Sequence, residues 1–218
     1  MPTITKISEQ KRRANRRNVY LDGAFAFGCN LNVVARFRLR EGMSLSAEKV
    51  KEILAGEVRQ EAFDYAMLSL SRRLHSRTEL SKKLAKREYD AGTIELVLGD
   101  LQRMGYVDDA RFAREKATSA AKHKHHGHRR ARLELMKSGV DDATARKAIE
   151  DVYEPHDSLA VARELAQKQA PRLRKLDPLV ARRRLVGMLG RRGFDYDTIR
   201  PVIDEVLGYG HDRREDMD

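Results

Sequence analysis

Lys137-Ser138-Gly139-Val140-Asp141-Asp142-Ala143-Thr144 decides the fold, because the chain writes it three times. An earlier copy is Lys86-Arg87-Glu88-Tyr89-Asp90-Ala91-Gly92-Thr93, and a later one is Arg191-Arg192-Gly193-Phe194-Asp195-Tyr196-Asp197-Thr198. The copies start 51 and then 54 residues apart, and a period of that size marks stacked supersecondary units. Apolar flanks keep the register. Leu84, Leu135 and Leu189 precede the copies, while Ile94, Ala145 and Ile199, then Leu98, Ile149 and Ile203, follow them. Each copy reads as a helix–turn–helix joint. Cations close one helix at the negative end of its dipole. Gly139 and Gly193 supply the left-handed residue that ends it, and an apolar residue then enters the core. Asp90, Asp141 and Asp195 cap the next helix, since their carboxylates accept its free backbone N–H groups. Glu88 stands where the other copies have glycine, so the first joint is either strained or differently built.

The length left between joints fits one further helix per unit, which predicts three-helix modules. Ala62, Tyr65, Ala66, Leu68, Ser69 and Arg72 fall on a helical period. Ser76-Arg77-Thr78-Glu79 has capping-box spacing. Asp177-Pro178 sets a cap directly before a proline at the first helical position. The first thirty residues differ in texture. Ile4–Ser8, Asn18–Leu21 and Phe25–Gly28 read as strands, and Asp22-Gly23 between two of them is a hairpin signal. Short helices through about Gly56 are expected to follow. The predicted fold is mostly α: three tandem three-helix modules in an elongated array, after a small N-terminal segment containing a β-hairpin. The expected limits are 1–58 for the N-terminal extension, 59–107, 108–153 and 154–208 for the repeats, and 209–218 for a polar tail.

Composition bounds the class of function. The 218 residues are 41% hydrophobic, enough for packed cores, only 6% aromatic with no Trp, so no large aromatic core is expected, and 35% charged, which suits thin helical layers. The formal net charge is +11, and an excess of that size favours a polyanionic partner. The single cysteine, Cys29, has no internal partner, which argues against a secreted disulfide scaffold. No apolar run approaches the length of a membrane span, and Met1–Arg17 lacks the apolar core of a signal peptide. A cytoplasmic protein without membrane contact is expected.

No catalytic constellation stands out. The chain lacks GxxxxGK[ST], GxGxxG and GxSxG, so no enzyme, cofactor or small-molecule substrate is expected. Asp108-Asp109 and Asp141-Asp142 sit where helices begin and read as caps rather than metal ligands. His123, His125, His126 and His128 crowd six residues, but Lys122, Lys124 and Arg129 alternate with them and oppose a cation. A solvated basic linker before a helix starting near Gly127 is the expectation, with no bound metal.

The cations carry more information. Between Arg172 and Arg192 eight cations meet one acid, and between Arg114 and Arg132 seven meet one acid. A third group runs from Arg72 through Arg87. Each falls near the middle helix of one repeat, so stacked modules are expected to line up a basic stripe. The candidate binding residues are Arg72, Arg73, Arg77, Lys82, Lys83, Lys122, Lys124, Arg129, Arg130, Arg132, Arg182, Arg183, Arg184, Arg191 and Arg192. Arginine outnumbers lysine in the last group, which suits forked contacts to phosphate or carboxylate. Aromatic residues for base stacking are scarce there, so phosphate or acidic side-chain contact is favoured over base reading.

Tyr65-Ala66-Met67-Leu68-Ser69-Leu70-Ser71-Arg72-Arg73-Leu74-His75-Ser76-Arg77-Thr78-Glu79-Leu80 resembles the opening signature of the RecX family. Leu101-Gln102-Arg103-Met104-Gly105-Tyr106-Val107-Asp108-Asp109-Ala110-Arg111-Phe112-Ala113 extends the likeness, as do the basic helix from Gly127 to Gly139 and Leu189-Gly190-Arg191-Arg192-Gly193-Phe194. Together they cover about residues 60 to 207. The N-terminal Ile4-Thr5-Lys6-Ile7 and Asn18–Gly23 look like the longer members. The resemblance implies tandem three-helix modules and no enzymatic activity. It implies a regulator that binds the RecA–DNA filament and modulates, in the inhibitory sense, its strand exchange and ATPase in recombination, DNA repair and the SOS response, with weak contact to single- or double-stranded DNA. The alternative is a general DNA-binding helical repeat protein without a RecA partner. The histidine-rich run and Glu88 depart from the family pattern, which puts local loop geometry in doubt.

Overall fold

A computed structural model describes residues 1–153 and 155–208, without the side chains of 155–157. The expected polar tail, 209–218, lies outside the described residues. Three strands, β1 (Ile4–Gln10), β2 (Arg13–Leu21) and β3 (Ala24–Asn30), form an antiparallel sheet in the order β1-β2-β3. Asp22 and Gly23 join β2 to β3 with φ of 47° and 85°. Two successive positive φ values give the tight turn whose twist matches that of the flanking strands. Ile4, Val19, Phe27 and Cys29 face one way and pack with Val33, Leu39, Leu45 and Ile53.

The helices are α1 (Leu31–Arg36), α2 (Ala47–Leu70), α3 (Arg77–Ala85), α4 (Ala91–Arg103), α5 (Asp109–Lys122), α6 (His128–Lys137), α7 (Asp142–Val152), α8 (Pro155–Leu173), α9 (Pro178–Arg191) and α10 (Tyr196–Leu207). The expectation of short helices up to Gly56 needs correction. After the six-residue α1 comes one 24-residue helix, α2, which runs without a break through residues 56–59. Gly56 reads as a helix breaker, yet it serves a close approach. A Cβ there would lie 2.7 Å from the Phe37 ring. Beside it, the buried Glu57 is held by Arg16 at 2.8 Å and by the N–H of Asn30 at 2.6 Å. Burial pushes its carboxyl above the usual range, with the Asn30 and Arg16 contacts opposing.

The described residues form two compact units, residues 1–75 with 80–107 and residues 76–79 with 108 onward. In the first unit, α2, α3 and α4 share a core of Ala62, Ala66, Leu80, Leu84, Ile94, Val97, Leu98, Leu101 and Val107. In the second, α5, α6 and α7 bury Phe112, Ala117, Leu135, Val140 and Ile149. There α8, α9 and α10 bury Ala162, Ala166, Leu185, Leu189, Phe194, Val202 and Ile203. Each fully buried Leu or Ile stabilises by about 1.5–3 kcal/mol.

The three joints form as read. The side chains of Asp90, Asp141 and Asp195 accept from the N–H of Thr93, Thr144 and Thr198 at 2.9, 3.0 and 2.7 Å. Val140 and Phe194 are buried, while Tyr89 is half-buried against its core. Gly139 and Gly193 take φ of 81° and 87°, and Glu88 takes 65°. The first joint is therefore strained rather than differently built. Its glutamate occupies a conformation that costs a non-glycine residue about 1–2 kcal/mol.

Space explains why the other two joints keep glycine. A Cβ on Gly139 would lie 2.2 Å from Thr78, in the first turn of α3. A Cβ on Gly193 would lie 2.4 Å from the backbone of Arg130, in the first turn of α6. The same scheme thus recurs: the start of one middle helix seats on the next joint. Ser76 Oγ donates to the carbonyl of Ser138 at 2.5 Å and Thr78 Oγ1 to that of Gly139 at 3.2 Å. The N–H of Gly127 donates to the carbonyl of Arg192 at 2.7 Å, and Arg130 Nη1 to that of Arg191 at 3.0 Å. Glu88 is exposed, so its Cβ meets no such obstacle.

Candidate anion-binding surface

Folding sorts the candidate cations by their partners. Arg132 pairs with Asp142, which Arg146 also reaches at 2.9 Å. The Arg132 hydrogen bond holds the Asp142 carboxyl below its usual range. Lys124 lies 3.3 Å and Arg130 3.6 Å from Glu134. Arg182 donates to Asp204 at 3.0 Å, and Arg192 donates to the carbonyl of Lys124 at 3.1 Å. These five cations are engaged in holding helices and joints together. Lys122 and Arg129 are exposed in the second unit, where Arg77 also lies. Arg72, Arg73 and Lys82 are exposed and Lys83 half-buried in the first unit.

The histidine-rich run is a linker before α6, as expected, exposed at His123 and Lys124 but drawn in at His126 and Gly127. The N–H of His126 donates to the carbonyl of Ala120 at 3.0 Å, and Tyr153 donates its hydroxyl to the carbonyl of His126, also at 3.0 Å. The segment is drawn in because Gly127 must seat on the Arg192-Gly193 joint. His126 Nδ1 is buried without a hydrogen bond, although Glu134 Oε1 stands 3.3 Å away. Burial therefore wins over the carboxylate and, with Arg130, Lys124 and Arg192 nearby, lowers the pKa of His126. His128 turns instead toward Asp195 at 3.6 Å. Among the described residues no group of three or more His, Cys, Asp or Glu side chains is arranged to hold a metal ion.

One cationic site remains open. Between α8 and α9 lies a cleft of about 520 Å³ bordered by Arg172, Arg183, Arg184 and Arg191. All four arginines are exposed, and Leu173, Leu176, Leu185, Met188 and Gln169 complete the lining with no carboxylate among them. None of the four guanidinium groups has an ion-pair or hydrogen-bond partner among the described residues. Four unneutralised forks around an apolar floor can hold an anion by bidentate contacts. Sequence reasoning chose Arg183, Arg184 and Arg191 here but omitted Arg172. That residue joins them only because α8 runs as far as Leu173 and turns its last cation toward α9. The apolar floor, Leu176 and Met188 above all, had no signal in the sequence beyond ordinary helix periodicity.

Fold and surface together define a helical-repeat scaffold of three-helix modules with an N-terminal sheet and an open arginine cleft. Family-level sequence models match it in four stretches: "Regulatory protein RecX N-terminal domain" over residues 2–46, and the first, second and third three-helix domains of RecX over 62–101, 108–149 and 156–203. Regulatory protein RecX of Bacillus subtilis is 30% identical over 206 residues, 94% of this chain and 78% of that protein. Its counterpart in Leuconostoc mesenteroides is 29% identical over 215 residues, 99% of this chain and 80% of that one. A crystal structure of regulatory protein RecX shares the fold, with a TM-score of 0.81 at 24% identity over 94% of this chain and all of that one. The chain belongs to the RecX family of regulatory proteins.

Among the described residues no helix is long and apolar enough to cross a membrane.

Proposed function

We propose that this chain is a non-catalytic regulator of RecA in the cytoplasm, which docks on the RecA–DNA filament and inhibits its strand exchange and ATPase activities. The observation that carries the reading is the open four-arginine cleft in the third module of a RecX-family chain. A nucleoprotein filament presents phosphate and acidic side chains, and both are complementary to unpaired guanidinium groups. Of the other candidate cations, the exposed Arg72, Arg73, Lys82, Lys122 and Arg129 extend the contact, whereas Arg132, Arg182 and Arg192 act within the fold. The test adds purified protein to RecA filaments of the same organism and follows ATP hydrolysis and DNA pairing. Both rates fall, and the effect weakens as salt rises, because phosphate contacts release counterions and salt screens ion pairs. Arg183→Glu with Arg184→Glu weakens the inhibition while the helical spectrum stays unchanged. Arg182 is left out of that variant, since a glutamate there would face Asp204. If neither rate changes at saturating protein and no complex forms at low salt, the reading fails. Binding to bare DNA alone would then favour the general DNA-binding alternative.

A further inference from the structure

The lining of the arginine cleft distinguishes between anions. Phosphodiester backbone needs cations, and unpaired bases add affinity by stacking on aromatic rings. No aromatic residue lines the cleft. Its floor is aliphatic instead: Leu173, Leu176 and Met188 are half-buried, so each keeps apolar surface open to a ligand. Methionine in particular adapts to varied apolar side chains. Arg172 stands on one side of this floor, with Arg183, Arg184 and Arg191 on the other helix. An occupant that uses every part of the site carries carboxylates spaced about an apolar side chain.

We infer that the cleft between α8 and α9 docks an acidic peptide segment of a partner protein, with one apolar residue seated on the Leu176–Met188 floor and flanking Asp or Glu side chains held by the arginine forks. The inference rests on the reading of the chain as a filament regulator in one respect: it names the partner's side of that contact as protein rather than nucleic acid. Carboxylates match the guanidinium fork as well as phosphate does. The apolar seat adds what a phosphate cannot use, through burial of the side chain.

The test uses the full chain, and its binding measurements need no recombinase. A fluorescein-labelled peptide of four Glu-Leu-Asp repeats is titrated by anisotropy beside a Glu-Ser-Asp peptide of equal charge and an oligothymidylate of about twelve nucleotides. The expected order has the leucine peptide tightest, by roughly fivefold or more over the serine peptide, in line with burial of a single leucine. Arg183→Ser with Arg184→Ser weakens the leucine peptide roughly tenfold or more, as loss of two charge-assisted contacts requires. Arg12→Ser with Arg13→Ser, an equal loss of charge at the exposed hairpin end where β2 begins, leaves it within about twofold. Circular dichroism and the denaturation midpoint establish that both variants fold. Equal affinity for the leucine and serine peptides overturns the apolar seat. Equal weakening by the two charge variants reduces the effect to diffuse charge. Tighter binding of oligothymidylate, lost in the Arg183/Arg184 variant, assigns the cleft to nucleic acid and overturns the proposal. Any of these results alongside intact inhibition of RecA sinks the cleft assignment and leaves the proposed function standing.

Discussion

Replacing Gly139 with alanine separates the two reasons a glycine sits at the second joint. Its φ of 81° is the first, and a left-handed residue with a Cβ costs about 1–2 kcal/mol. The second is space, because the new Cβ would lie 2.2 Å from that of Thr78. Something must shift, and overpacking of that kind costs about 1–3 kcal/mol. Alanine's smaller unfolded-state entropy returns about 0.5–1 kcal/mol. The net expectation is a loss near 3 kcal/mol, read as a lower denaturant midpoint at unchanged slope. Glu88→Ala is the control, because its backbone strain already exists and its Cβ is unobstructed, so its stability changes by less than about 0.5 kcal/mol. Thr78→Gly, which gives up its hydrogen bond to Gly139, completes a double-mutant cycle. If the contact is what excludes a side chain, the cycle shows a coupling of about 1–3 kcal/mol. A Gly139→Ala loss near 1 kcal/mol with no coupling to Thr78 would refute the seating of α3's first turn on this joint.

Glu88→Gly should stabilise by about 0.5–1 kcal/mol, since relief of left-handed strain exceeds the entropy that glycine adds to the unfolded chain; a lowered melting temperature would count against strain at the first joint. Phe194→Ala should cost about 3–5 kcal/mol, because the ring is 3% exposed within the third module's core, and denaturant titration reads the loss directly. His126, with a pKa lowered chiefly by burial, is held neutral by the fold. The stability it contributes is full above its unfolded value near pH 6.5 and is lost as pH falls toward the folded value. Melting temperature should therefore decline between about pH 7 and pH 5, and His126→Gln should flatten that decline; an unchanged profile in the variant would show that another group sets it.

The joints were legible because their chemistry is local. A capping aspartate and the threonine three residues on are neighbours in sequence, and so are the helix-closing cations and the left-handed residue. The strands and the Asp22-Gly23 turn were legible for the same reason. The unbroken α2 was not, since Gly56 owes its place to Phe37, and Glu57 to Arg16 and Asn30, all distant in sequence. The sorting of the cations was hidden too. Arg132 meets Asp142 ten residues away and Arg182 meets Asp204 twenty-two away, each from a different helix. Composition shows the +11 excess, but only packing decides which charges are neutralised. The apparent run Arg182-Arg183-Arg184 splits accordingly, one residue bonded within the fold and two facing the cleft.

That split goes with a difference between the third middle helix and the first two. Seating the next joint constrains the starts of the first two middle helices: Ser76 and Thr78 are bonded to Ser138 and Gly139, and Gly127 and Arg130 to Arg192 and Arg191. Those helices, α3 and α6, span 9 and 10 residues. The third middle helix, α9, spans 14. Its additional turn lies at the N-terminal end and begins with the Asp177 cap on Pro178. Leu179 within that turn is 78% exposed, so among the described residues no later joint is seated on it. At the first joint, where no earlier helix seats, a glutamate replaces the glycine. In the third module, the middle helix instead keeps Arg183, Arg184 and Arg191 without an ion-pair partner among the described residues, facing Arg172 of α8. Among the described residues four like charges thus stand side by side without an acidic neighbour. Such an arrangement is electrostatically unfavourable on its own, and the anionic occupant proposed for the cleft would relieve it.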